Sequence, residues 1–139
     1  MKKLMGRVWE KKDSKKGFTL VELIVVLVIL AILAAIMIPS LIGWVNKAKE
    51  KEVILEARNA YLATQTVVFE RAAKKDPDIQ KELEEAELEE IAEIANTTKD
   101  YISNVTIDGK GVVTDLTYDN GVYKAVYDES AWTITKTKS

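Results

Sequence analysis

The stretch that decides the architecture is Lys15-Lys16-Gly17-Phe18-Thr19-Leu20-Val21-Glu22, followed by LIVVLVILAILAAIMI at positions 23–38. Leu23 to Ile38 is an unbroken run of 16 apolar residues; Pro39 and Ser40 interrupt it, and Leu41 to Val45 resume it. A helix that crosses a bilayer needs about 20 largely apolar residues at a rise of about 1.5 Å each. Residues 20–45 satisfy that requirement, with Pro39 inside the span and Glu22 as its one charge.

Charge is divided just as sharply. Residues 1–17 hold seven Lys/Arg and two acidic residues, a charge of +5, and the remaining chain holds 13 basic and 20 acidic residues, a charge of −7. A basic head, an apolar rod and an acidic body therefore follow in order. The positive-inside rule leaves the head in the cytoplasm and sends the C-terminal body across the membrane. A secretory signal peptide would carry a shorter apolar core with its small-residue cleavage site behind it. Here the run is longer, and the small residue, Gly17, stands before it.

The 139 residues, 47% apolar and 30% charged, suit one domain with an appendage and exclude global disorder. The chain has no Cys and no His, which excludes disulfides, zinc-finger spacing, a Cys nucleophile and a His-based triad. It shows no phosphate-binding Gly loop and no nucleophile–base pair. The expectation is a non-enzyme with no catalytic residues, no cofactor and no metal. The glutamates at 82–93 lack the Asp-rich loop with a central Gly that calcium favours and are expected to be a solvated helix face. The triplets Asn96-Thr97-Thr98 and Asn104-Val105-Thr106 fit the glycosylation pattern, but only by letter.

In the body, Ile54, Ala57, Tyr61, Thr64 and Val68 fall on one helical face, and no Gly or Pro occurs between Trp44 and Asp76. The apolar helix is expected to run on to about residue 75. Asp76-Pro77 reads as a stop and restart, with Asp76 capping a second, acidic helix from about 77 to 95 that buries Ile79, Leu83, Ala86, Ile91 and Ile94. From about Tyr101 the composition turns to β. Strands are expected near 104–107, 112–118, 122–128 and 131–137, separated by Asp108-Gly109-Lys110-Gly111, Asn120-Gly121 and Asp128-Glu129-Ser130. Leu116, Tyr118, Tyr127, Trp132 and Ile134 are the expected core, packed on the Tyr61–Val68 face. The fold class is α+β, a long N-terminal membrane-spanning helix packed on a small antiparallel sheet.

The stretch at 15–22 with its apolar tail resembles the cleavage and methylation signature of type IV prepilins. In that family a basic leader ends in Gly, a peptidase cuts after it, the new N-terminal Phe is N-methylated, and a Glu stands fifth in the mature chain. Gly17, Phe18 and Glu22 match those positions, and Pro39 matches a common kink position, which Gly43 would assist. The resemblance implies a division into a cleaved leader at 1–17, a transmembrane and filament-core helix at 18–45, and an extracytoplasmic pilin body at 46–139.

It implies cleavage and methylation at Gly17 and Phe18, and assembly through Glu22 paired with the N-terminal amine of a neighbouring subunit. The partners it implies are the membrane, a homopolymeric filament, the prepilin peptidase/N-methyltransferase, a pilus assembly platform and minor pilins. The precursor would be a single-pass protein of the cytoplasmic membrane, and the assembled product a surface pilus for adhesion, motility or DNA uptake. A pseudopilin of a type II secretion or competence system carries the same signature. A single-pass anchored binding protein would share the rod but would keep its leader. Some related pseudopilins hold calcium in a C-terminal loop, which would involve Asp119 and Asp128 here.

Overall fold

The computed structural model describes residues 17–74 and 78–137. Helix α1 spans Leu20–Ala73 and contributes to two compact units, which divide between Leu41 and Ile42. In the first unit every described residue is exposed. The second unit carries α2 (Glu85–Ala95), a 3-10 turn at Lys99–Tyr101, and strands β1 (Ile102–Ile107), β2 (Val113–Asp119), β3 (Tyr123–Asp128) and β4 (Ala131–Lys136). The strands form one antiparallel sheet in the order β1-β2-β3-β4.

The core grows from the spacing of small and apolar residues on α1. Val53, Ala57, Ala60, Thr64, Val67 and Arg71 recur every three or four positions and are all buried. The alanines let the sheet backbone come close. Thr64, fully buried, gives its hydroxyl proton to the Ala60 carbonyl at 2.8 Å, so no polar group is stranded. Gln65 clips the start of β2 from both sides: its Nε2 donates to the Gly111 carbonyl at 2.7 Å and its Oε1 accepts from the Val113 amide at 2.9 Å. Against this face lie Ile102, Ile107, Val113, Leu116, Tyr118, Tyr123 and Ala125.

The strand boundaries fall within two residues of those expected. Leu116 and Tyr118 are buried as expected, whereas Tyr127, Trp132 and Ile134 are half-buried because β4, on which two of them lie, is an edge strand. Tyr127 and Trp132 instead form a rim with Tyr61, with ring centroids 4.7 and 6.3 Å from the Tyr61 ring. The Asn120-Gly121 hairpin is present. Gly121 takes φ +83°, and Asn120 Oδ1 accepts from the Val122 and Tyr123 amides.

β1 and β2 each carry an irregularity. Asn104 and Val105 together oppose Leu116, and Thr114 is the extra residue on the other strand. Ile102 and Ile107, five apart, therefore both point inward, which alternation alone forbids. Asn104 adopts φ +49° and Asn96, capping α2, φ +53°. Asn tolerates this left-handed region better than most residues, and that accounts for both asparagines in the glycosylation-like triplets.

The second helix departs from expectation. It begins at Glu85, not near 77, and Asp76-Pro77 lies outside the described residues. Arg71 supplies a reason. Its guanidinium Nη1 donates to the carbonyls of Lys81 (2.8 Å) and Ile79 (3.5 Å), groups that a helix through 78–84 would use internally. Glu84 then starts the helix, its amide donating to Glu87 Oε2 at 2.8 Å. The later start rotates the buried face: Ile91 and Ala92 are buried, Ile79 and Leu83 are half-buried, and Ala86 and Ile94 are exposed.

Arg71 also pairs with Glu87, so one buried cation ties the end of α1 to α2. Burial pushes the Glu87 carboxyl up, but hydrogen bonds from Arg71 and the Glu84 amide, with the charges of Arg71 and Lys81, outweigh it and hold Glu87 below the ordinary glutamate range. Arg71→Ala should destabilise the second unit by about 2–4 kcal/mol in denaturant titration, since it removes the buried cation that Glu87 and the Lys81 carbonyl share. A carboxyl depressed in the folded state stabilises fully above its unfolded value and loses that contribution as pH falls through the folded one. Wild type should therefore lose stability on acidification below the ordinary glutamate pKa, and Glu87→Gln should lose less over the same interval.

Candidate functional site

The N-terminal junction is built by the first turn of α1. Gly17, Phe18 and Thr19 precede the helix, and Phe18 is 87% exposed. Thr19 is the residue that starts the helix: its carbonyl accepts from the Leu23 amide at 3.2 Å, and its hydroxyl accepts from the Glu22 amide at 3.2 Å. Glu22 returns the favour, its Oε2 accepting from the Thr19 amide at 2.9 Å. This is a reciprocal capping box, satisfying two amides that the helix leaves without internal partners. Glu22 also places its negative end beside the positive end of the helix dipole.

Sequence reasoning singled out Glu22 but missed Thr19. The signal was present as Thr-x-x-Glu immediately before an apolar run.

Among the described residues, a Cβ placed on Gly17 would meet nothing within 4 Å. Local packing therefore does not demand glycine there. Pro39 and Gly43 lie further along α1, apart from the junction, and the helix continues through both positions. Pro39 has no amide to offer the Ala35 carbonyl, so one rung of the ladder is missing at that point.

Beyond the cap, the apolar stretch of α1 is long and apolar enough to cross a membrane, and none of that stretch is buried. Phe18, Leu20, Leu23, Ile29 and Leu33 are each at least half exposed. Asp119, a candidate calcium contact, is engaged in its turn, Oδ1 accepting from the Gly121 amide at 2.9 Å and the Thr137 hydroxyl at 3.3 Å. Among the described residues, no group of three or more acidic side chains is placed to hold a metal ion.

Comparison with known proteins agrees with this geometry. The family description "Prokaryotic N-terminal methylation motif" matches residues 12–38. Type II secretion system core protein G of Klebsiella michiganensis is 43% identical over 44 residues, covering 32% of this chain and 31% of that protein. Fimbrial protein Q of Moraxella bovis is 35% identical over 63 residues, covering 45% of this chain and 40% of that protein. Type IV major fimbrial protein FimA of Dichelobacter nodosus is 35% identical over 65 residues, 47% of this chain and 42% of the relative. The chain thus aligns with less than half the length of each of these relatives. No solved structure gives a significant match. The matched motif falls on the capped start of the apolar helix, and the N-terminal part of this chain is similar to the corresponding part of type IV fimbrial proteins and of a type II secretion core protein.

Proposed function

We infer that the chain is a type IV pilin subunit, made as a membrane precursor, cut after Gly17, N-methylated at Phe18 and polymerised through its apolar helix. The observation that carries this reading is the union of a capped, exposed Gly17-Phe18 junction with a membrane-length apolar stretch that is exposed throughout among the described residues. Out of a bilayer, that surface must be buried by other copies. A head-to-tail contact between like subunits generates an open filament.

Glycine at 17, which local packing does not require, suits recognition by a peptidase at the cytoplasmic face. Cleavage would create an amine at Phe18, one turn from Glu22, and the carboxylate already oriented by Thr19 retains acceptor capacity for an amine from a neighbouring copy. Such a desolvated pair sets register more than it adds stability. The missing rung at Pro39, with Gly43 beside it, is a place for the helix to bend during assembly. The bodies would face outward, as a surface filament serving adhesion, motility or DNA uptake, with a prepilin peptidase, an assembly platform and minor pilins as partners.

A second reading is a pseudopilin, favoured by the 43% identity with the type II secretion core protein. Location separates the two. A peptide beginning at methylated Phe18 in filaments sheared from native cells marks a pilin. The same peptide confined to membranes marks a pseudopilin, and an intact Met1 leader in mature membranes sinks both.

Two substitutions test the roles assigned. Gly17→Val should leave the leader attached, seen as a heavier subunit that lacks the methylated Phe18 peptide. Glu22→Ala should leave cleavage intact but lower the filament yield by about tenfold, the scale of about 1.4 kcal/mol in an assembly equilibrium. Equal yields would remove Glu22 from the assembly step.

A further inference from the structure

The β2–β3 hairpin, α1 and the turn after α2 bound a hollow of about 370 Å³, within the size range of small-molecule sites. Glu56 lines it from α1, Asn96, Thr98 and Tyr101 from the turn, and Tyr118 and Asn120 from the hairpin. A second hollow of about 260 Å³, reaching to Glu52 and Val53, shares Glu56, Asn120 and Val122 with the first, so the two adjoin.

The first hollow is built around a buried side chain. Tyr118 is 2% exposed; its hydroxyl lies 2.8 Å from Thr97 Oγ1 and donates to Glu56 Oε2 at 3.2 Å. A hydroxyl has one proton to give, so Thr97 is the donor to Tyr118. This relay ties the turn after α2 to α1 through β2 and fixes one carboxylate oxygen of Glu56. The other oxygen has no partner among the described residues. The same is true of the Asn96 side-chain amide, the Thr98 and Tyr101 hydroxyls and Nδ2 of Asn120.

These groups select a ligand chemistry. The carboxylate only accepts, Asn120 Nδ2 only donates, and the Asn96 amide and the two hydroxyls do both. Their match is a molecule that offers donors and acceptors at close intervals, as the hydroxyls of a sugar ring do. A metal cation calls for several oxygen ligands and more charge than one carboxylate supplies. An ammonium group would satisfy Glu56 but leave the amide N–H groups without an acceptor, and Glu56 disfavours an anionic sugar. Tyr101, half-buried and set edge-on to Tyr118 with ring centroids 5.8 Å apart, adds an aromatic wall of the kind that packs against the C–H face of a pyranose. The adjoining hollow gives room for a second ring.

We propose that the hollow between α1, the turn after α2 and the β2–β3 hairpin binds a neutral saccharide of two or more pyranose rings, with Glu56 and Asn96 on ring hydroxyls and Tyr101 against a ring face. The site lies within the second unit and does not depend on the filament reading.

The full chain, in phosphocholine micelles that carry no sugar, is titrated with lactose, cellobiose, maltose and diacetylchitobiose while its amide signals are followed by NMR. At least one disaccharide should shift the signals of residues 96–101 and 120–122 along a single saturating curve, with a Kd on the order of millimolar. Thr98→Val removes a hydroxyl that caps nothing, and Asn96→Gly removes the amide while keeping the left-handed cap that glycine favours. Each should keep the wild-type spectrum away from the site and weaken binding about fivefold, the scale of one lost hydrogen bond. Glu56→Gln, which still offers Tyr118 an oxygen, should weaken it about tenfold, the scale of a hydrogen bond to a charged group. Thr133→Val, on the exposed face of β4, should leave affinity unchanged. A spectrum that none of the four disaccharides moves, or shifts that survive all three substitutions at the site, would overturn the proposal. So would calcium chloride or butylammonium moving the same signals through Glu56 where the sugars do not. Neither result bears on cleavage at Gly17 or on assembly through α1.

Discussion

One constraint runs through the molecule: an apolar helical segment whose described residues are all exposed. Every described residue of the first unit is exposed, its apolar side chains included. Water would oppose exposure of apolar side chains at about 25 cal/mol per Å². The N-terminal junction answers to the same constraint. A helix that starts in or beside lipid cannot leave its first amides unpaired, and the Thr19–Glu22 box satisfies two of them from within the chain. The one acid of the rod thus has a local structural task, capping the first turn of α1.

The body half of the same helix solves a different problem. Its small-residue face admits the sheet, and its polar residues there are each committed: Thr64 to a carbonyl within the helix, Gln65 to the start of β2, and Arg71 to the loop and to α2. With no disulfide available, these side-chain clips on backbone groups do the work of fastening. Lys99, bridging Glu85 and Glu89, ties the 3-10 turn to the acidic helix in the same manner.

Much of this was legible in the sequence, for physical reasons that can be named. The rod is a matter of apolar length alone, and hairpin turns announce themselves through Gly, Asn and Asp. The match of residues 12–38 to the N-terminal methylation motif was readable because several rare features coincide at Gly17, Phe18 and Glu22. The start of α2 was not readable. It depends on Arg71, fourteen residues before Glu85, taking two carbonyls by tertiary contact, which overrides the local Asp-Pro signal. The half-buried state of Tyr127, Trp132 and Ile134 was equally hidden, because strand composition does not reveal which strand ends the sheet. Thr19 was overlooked for another reason: its Glu partner already had a more conspicuous role.

The two irregularities in β1 and β2 behave like dislocations of opposite sign. Each alone would turn part of a strand inside out; together they cancel, so that Ile102 still faces Tyr118 and Ile107 still faces Val113 across six-residue stretches of equal length. Neither can be lost singly without carrying apolar side chains to the wrong face, whereas loss of both leaves a shorter, regular ladder with the same inward set at each end. Natural variants of this sheet should therefore change length here in pairs, one residue from each strand, and the two positions should drift together through descent although they lie ten residues apart in sequence.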